Sequence, residues 1–492
     1  MSDPILNLGA SLSLDGTGSP GACELPASHL TTHAAIVGMT GSGKTGMAMV
    51  LVEEAARNRV PVLVVDIKGD LPDLLLAFPD STPERYLPWI DPEVAAQDGL
   101  TPIEAARRIA DDRESELRPW FKGEPPLRAF ANGICVRVLT PGSSAGEALH
   151  VLSSLERRSE LWDSDEEAAR STLAAAISLV LRMVGREADP TSSREHVLLA
   201  VLAERRLRAG QRAGLSDLLA ELETPPITHL GAMDLDAFLA PRERQRLAAA
   251  LNALLASPTF EAWRHGAALD VGAWMKRTND GRTPVTIVSV AHLDDDERAL
   301  VLGMLLEDVL AWVRTLPGSS RLRGLVVFDE VYGFLPPHPA NPLTKRPLVS
   351  LLKQARAFGV GVVVATQNPM DLDYRALSNA GLWLLGRLQT DADRERVIDG
   401  LMGAGTHGRR REPAAELNEV VKRLGQRWFV MHDAREDEGA RLVHVRPTYT
   451  WMRGPMTRAE IRRAVDAAGT AGAPEKEKGG GDTSGDRAES AA

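Results

Sequence analysis

His33-Ala34-Ala35-Ile36-Val37-Gly38-Met39-Thr40-Gly41-Ser42-Gly43-Lys44-Thr45 is the stretch on which the fold turns. Its first part has the apolar composition of a buried strand. Its second part matches the pattern GxxxxGK[ST] at Gly38, Gly43, Lys44 and Thr45. The glycines permit a tight loop whose backbone N–H groups point inward at phosphate oxygens. In such a loop Lys44 neutralises the β- and γ-phosphates of a nucleoside triphosphate, and the Thr45 hydroxyl ligates Mg²⁺. Good helix formers follow to about Arg57, so a helix N-terminus faces the same anion. Gly38, Met39, Thr40, Gly41, Ser42, Gly43, Lys44 and Thr45 are the expected triphosphate-binding residues.

Three later strands supply partners for that loop. Residues 61–66 (PVLVVD) end in Asp66, which a parallel sheet places at its carboxyl edge near the nucleotide. A supporting role there for Asp66 or Lys68 and a purely turn-stabilising one are both open. Leu325-Val326-Val327-Phe328-Asp329-Glu330 is an apolar strand ending in two acids. Asp329 suits holding Mg²⁺ beside Thr45, and Glu330 suits activating the attacking water. Residues 360–366 form a strand followed by Gln367, an amide placed to contact the γ-phosphate or that water. A strand between the loop strand and the acid strand, with Glu after the acid, points to the RecA-like division of P-loop proteins.

The expected architecture is α/β: a mainly parallel sheet covered by helices on both faces, interrupted by a large, mostly helical insertion. Residues 1–30 read as a short N-terminal segment. Residues 31–78 are the first half of a RecA-like core, and residues 79–275 the insertion, with one strand at 134–139. Residues 276–401 are the second half, 402–465 a C-terminal extension and 466–492 a disordered tail poor in large apolar side chains.

With 492 residues, 44% hydrophobic and 25% charged, the chain reads as a globular protein of more than one unit. Its net charge of −10 excludes a global basic field for nucleic acid, though not a basic pore. Cys23 and Cys135 form no CxxC pair, so neither a disulfide framework nor a Cys-rich zinc site is expected, and a reducing cytoplasm fits. No secretory signal is evident, and no apolar run reaches membrane-spanning length. His196 and His292 are expected to make structural hydrogen bonds. Asp294, Asp295, Asp296 and Glu297 suit a helix N-terminus.

GMTGSGKT, VVDIKGD, VVFDEVYGFLPP, LLKQARAFGVGVVVATQNPMDLD and LSNAGLWLLGRLQT together resemble the HerA/FtsK superfamily of P-loop ATPases, over residues 30–400. The nearest resemblance is to bacterial HerA-like ATP-binding proteins with a helical insertion. It implies ATP and Mg²⁺ as ligands and a homo-oligomer, a hexameric ring, that moves double-stranded DNA, often with a nuclease partner. It also implies an arginine finger acting on the neighbouring subunit. Arg356 stands in the matching stretch KQARAFG, and Arg387, ending LWLLGR, is a second candidate. Lys345, Arg346, Arg409 and Arg410 are candidate DNA contacts. In two places the chain departs from the family pattern. Only residues 1–37 precede Gly38, where the archaeal helicase carries a β-barrel, and Ile67 replaces the Pro of DPKGD. The competing reading is an ATP-switched scaffold or partner-binding module; a peptide-directed ring motor is a third.

Overall fold

The computed structural model describes residues 3–471 except residues 18, 160, 341, 368, 370, 371, 378, 379, 404–413, 437 and 438. Among the described residues, thirteen strands form one sheet. In chain order they are β1 (Ile5–Ser13), β2 (Gly21–Pro26), β3 (Ala34–Val37), β4 (Val62–Asp66), β5 (Ile134–Pro141), β6 (Glu147–His150) and β7 (Ala267–Ala268). Then come β8 (Thr283–Ser289), β9 (Gly324–Phe328), β10 (Val360–Thr366), β11 (Leu382–Leu385), β12 (Trp428–Asp433) and β13 (Arg441–Val445). Their order across the sheet is β2-β1-β13-β12-β11-β3-β10-β9-β4-β8-β5-β6-β7.

From β11 to β7 every pairing is parallel. Parallel strands need crossovers that cover both faces, which is why these segments are near-continuous Val, Ile and Leu. Leu63, Val65, Val326 and Phe328 feed one core, while Val62, Val64, Leu325 and Val327 feed the opposite one. Helix α1 (Lys44–Arg57) packs on the second face through Met47, Val50 and Leu51. Helices α2 (Asp295–Thr315) and α3 (Lys345–Gln354) cover the first through residues such as Leu302, Leu306, Leu348 and Leu351. Asp294 caps α2 by accepting the N–H groups of Asp296 and Glu297, as acids at a helix start should.

The insertion does not form a separate layer. Its helix at Glu166–Met183 buries Ile177, Leu179 and Leu181 in the core shared with α2, and its strands β5, β6 and β7 extend the central sheet. His292 and His196 bond the carbonyls of Pro141 and Ala174, both structural roles.

The C-terminal extension at residues 402–465 is built into the sheet: β12 pairs antiparallel with β11, and β13 bridges β12 to β1. The partner of β13 is the far N-terminal strand, which no local pattern announces. Contrary to a tail disordered from residue 466, the helix Arg458–Ala471 continues through residues 466–471. Residues 472–492 lie outside the described residues, as do Arg409 and Arg410. No helix among the described residues is long and apolar enough to cross a membrane.

After β13 the chain returns across α1 and is held there by charge. Arg446 is fully buried and pairs with Glu53 at 2.9 Å and Glu54 at 3.0 Å, both on α1. Thr450 N–H donates to Glu53 and the Tyr449 hydroxyl to Glu54. Burial opposes ionisation of Glu54, but Arg57 and Arg446 outweigh it and lower its pKa. Removing one partner of a buried pair strands the other. Arg446→Met should therefore cost about 3–5 kcal/mol, read from chemical denaturation. A cost below about 1 kcal/mol, the level of a surface pair, would show that this contact does not fasten the C-terminal chain to α1.

Candidate functional site

The carboxyl ends of β11, β3, β10, β9 and β4 stand side by side in that order. This adjacency brings together residues far apart in sequence. β3 leads into Gly38, whose N–H donates to Thr366 O on β10. Met39 N–H donates to Arg387 O at 2.8 Å, so the loop hangs between two neighbouring strand ends. A Cβ at Gly38 would lie 2.7 Å from Ser42 Oγ. Gly43 has φ +96° and sits against the Arg427 backbone, where a Cβ would come within 3.2 Å. Both glycines are required by space or by backbone conformation.

Lys44 turns back into the loop and donates to Met39 O at 2.9 Å. Burial lowers its pKa to about 8, with Lys68 adding like-charge repulsion and Glu330 and Asp329 opposing it. Thr40 donates to Gln367 Oε1 at 2.5 Å, tying the loop to the end of β10.

Asp329 follows β9 with both carboxylate oxygens buried and without a hydrogen-bond partner among the described residues. Burial raises its pKa, opposed by Lys68 and by the Thr45 hydroxyl. Burying a carboxylate is costly, and Asp329 with the Thr45 hydroxyl offers the hard oxygen ligands that a cation such as Mg²⁺ would take. These residues fit Mg²⁺. Glu330 is held at both oxygens: Tyr332 N–H reaches Oε1 at 3.3 Å and Lys68 Nζ lies 3.3 Å from Oε2.

Several expected residues stand elsewhere. Asp66 is fully buried, and its oxygens are taken by Gly69 N–H at 2.9 Å and the Ser289 hydroxyl at 2.7 Å. It shapes its own turn, which corrects its placement among nucleotide contacts. Arg356 is exposed in the turn Ala355–Phe358 that enters β10. Seven residues of β10 separate the amino edge from Gln367, about 20 Å of strand. Arg356 is therefore out of reach of its own loop. The Arg387 carbonyl accepts the Met39 N–H of its own chain, while its side chain is exposed. Lys345 pairs with Asp373 at 3.2 Å, and Arg346 pairs with Glu167 of the insertion. Both candidate DNA contacts thus have an acidic partner within the chain.

Sequence reasoning missed Arg427. It holds φ +65°, donates its N–H to Ser42 O at 3.0 Å, and anchors its guanidinium on Val445 O and Glu116. No local signal marks it, since the contact depends on β12 lying two places from β3.

Residues 12–91 match the family model described as the central domain of helicase HerA. The DNA double-strand break repair helicase HerA of Saccharolobus solfataricus is 25% identical over 122 residues, which span 24% of this chain and 24% of that protein. Over these residues the chain is similar to the HerA central domain, and the match spans about a quarter of that helicase's length. Its matched segment holds β3, the phosphate loop, α1, β4 and Lys68. Among solved structures, VirB4 of Thermoanaerobacter pseudethanolicus aligns with a TM-score of 0.50 at 13% identity, covering 90% of this chain and 96% of that one. The plasmid coupling protein TrwB in complex with ADP and Mg²⁺ gives 0.47 at 14% identity over 88% of each chain. The VirB4 likeness is one of fold alone and covers most of the chain.

Asp66 offers a direct test of its structural role. Burial raises its pKa from 3.8 to about 6. The folded state holds that proton more tightly than the unfolded chain does. Its stabilisation is therefore full below pH 3.8 and lost as pH rises through about 6. Asp66→Asn keeps an acceptor for Gly69 N–H and should remove that part of the decline in denaturation midpoint between pH 4 and 7. An unchanged decline would show that another group carries it.

Proposed function

We propose that this chain is a Mg²⁺-dependent ATPase that works as a hexameric ring and moves double-stranded DNA. The observation that carries the ATPase reading is the convergence of Lys44, Thr45 and the buried carboxylate of Asp329 beside Glu330 and Gln367. Thr45 and Asp329 would hold Mg²⁺, which when bound neutralises charge on the β- and γ-phosphates. Lys44 exchanges its bond to Met39 O for phosphate oxygens. Glu330 accepts a proton from water as its oxygen attacks the γ-phosphorus and the bond to the ADP oxygen breaks. Gln367, released from Thr40, contacts the γ-phosphate or that water.

The position of Arg356 supports the ring reading. It stands on the sheet edge opposite its own loop, where it could complete a site on another copy and stabilise transition-state charge. The DNA reading is supported by the matched HerA, whose description is that of a DNA break-repair helicase. The internal pairing of Lys345 and Arg346 favours the second reading, a nucleotide-switched scaffold that does not translocate DNA.

Lys44→Ala should abolish ATP binding or turnover. Glu330→Gln should retain Mg-ATP binding and lose turnover by on the order of 10²- to 10⁴-fold, read by phosphate release. Wild-type turnover in Glu330→Gln would remove Glu330 as the base. Duplex DNA should stimulate the wild-type rate; robust turnover without DNA binding or stimulation would favour the scaffold.

Arg356→Ala should be inactive alone yet regain turnover when mixed with Lys44→Ala subunits, since each supplies the half the other lacks. No recovery from stably mixed oligomers would rule out action between subunits.

A further inference from the structure

The turn after β4 is built more rigidly than a connecting loop requires. Asp66 fastens it from within through Gly69 N–H, Ser289 fastens Asp66 from β8, and Met456 N–H donates to Gly69 O at 3.2 Å from the C-terminal chain. Gly69 takes φ +91°, which a side-chain-bearing residue adopts only with strain. Lys68 is the residue this turn displays to the acids. Its Nζ lies 3.3 Å from Glu330 Oε2 and 3.9 Å from Asp329 Oδ2, with most of the side chain covered. The charged groups around it are Lys44, Asp70, Asp329 and Glu330.

We propose that Lys68 is the positioning residue for Glu330. A glutamate has three side-chain torsions, and a base misplaced by about an ångström forfeits on the order of 100-fold in rate. Tyr332 N–H fixes Oε1 and Lys68 fixes Oε2, so the carboxylate plane is set while each oxygen keeps a lone pair for water. Neither clamp would hold it alone: one contact on one oxygen leaves rotation about the last torsion free. The rigidity of the turn then has a purpose, because a positioning ammonium must itself be positioned. Asp66 acts one step further back, through Lys68.

This inference rests on the ATPase reading, and the test separates the two. Lys68→Ala should lower kcat on the order of 10- to 100-fold, while affinity for a non-hydrolysable Mg-ATP analogue stays within about twofold. Lys68→Arg should recover part of the rate. In the Glu330→Gln background, Lys68→Ala should add no more than about twofold to the loss of single-turnover hydrolysis, since there is no base left to position. Three results would overturn the proposal: unchanged turnover in Lys68→Ala, the same loss in both backgrounds, or a parallel loss of analogue affinity that makes Lys68 a phosphate contact. Absence of hydrolysis by the unsubstituted chain would instead remove the ATPase reading itself.

Discussion

The hydrogen-bonded seating of β10 between β3 and β9 is the constraint on which the site depends. Neighbouring strands are spaced about 4.8 Å apart, so one intervening strand sets the phosphate loop and the acid pair about 10 Å apart across the sheet. That gap suits a terminal phosphate with its metal and water. β10 also fastens both banks: Thr366 O accepts Gly38 N–H on one side, and Ala365 O accepts Val331 N–H on the other. Gln367, the residue that follows β10, stands between them.

The electrostatics follow from this crowding. Lys44, Lys68, Asp329 and Glu330 meet in a partly desolvated space where each shifts or steadies another. Burial works against the charges of Lys44 and Asp329, and the cluster sets opposite charges side by side. The surrounding structure resists collapse at several points. Arg427 grips the loop from β12, the Asp66 turn grips Lys68, and Arg446 locks the C-terminal chain onto the helix that begins with Lys44. Chain ends remote in sequence thus brace the phosphate-binding centre.

Much of this was legible in the residues themselves. Apolar runs such as Val62–Asp66 and Val360–Thr366 announce strands buried on both faces, and the spacing of Gly38, Gly43, Lys44 and Thr45 follows from what a phosphate demands of a backbone. Less legible were β12 and β13. β12 joins the sheet through β11, β13 finds its other partner in β1, and no local pattern reports a pairing between the two ends of a chain. Charge was least legible of all: Lys345 and Arg346 stand in a basic, proline-rich stretch, yet Asp373 and Glu167 answer them from elsewhere.

By itself the sequence determined which chemistry the chain carries, because GMTGSGKT and FDE encode functional groups and local backbone freedom, and these survive in any fold that displays them. Only the tertiary structure decided where those groups act. It turned Asp66 from a nucleotide contact into the brace of a turn, set the Arg387 carbonyl against Met39, put Arg356 on the far edge and aimed Lys68 at Glu330. The reason is geometric: strand order and direction set which side chains share an edge, and strand order is a long-range property that no single segment contains.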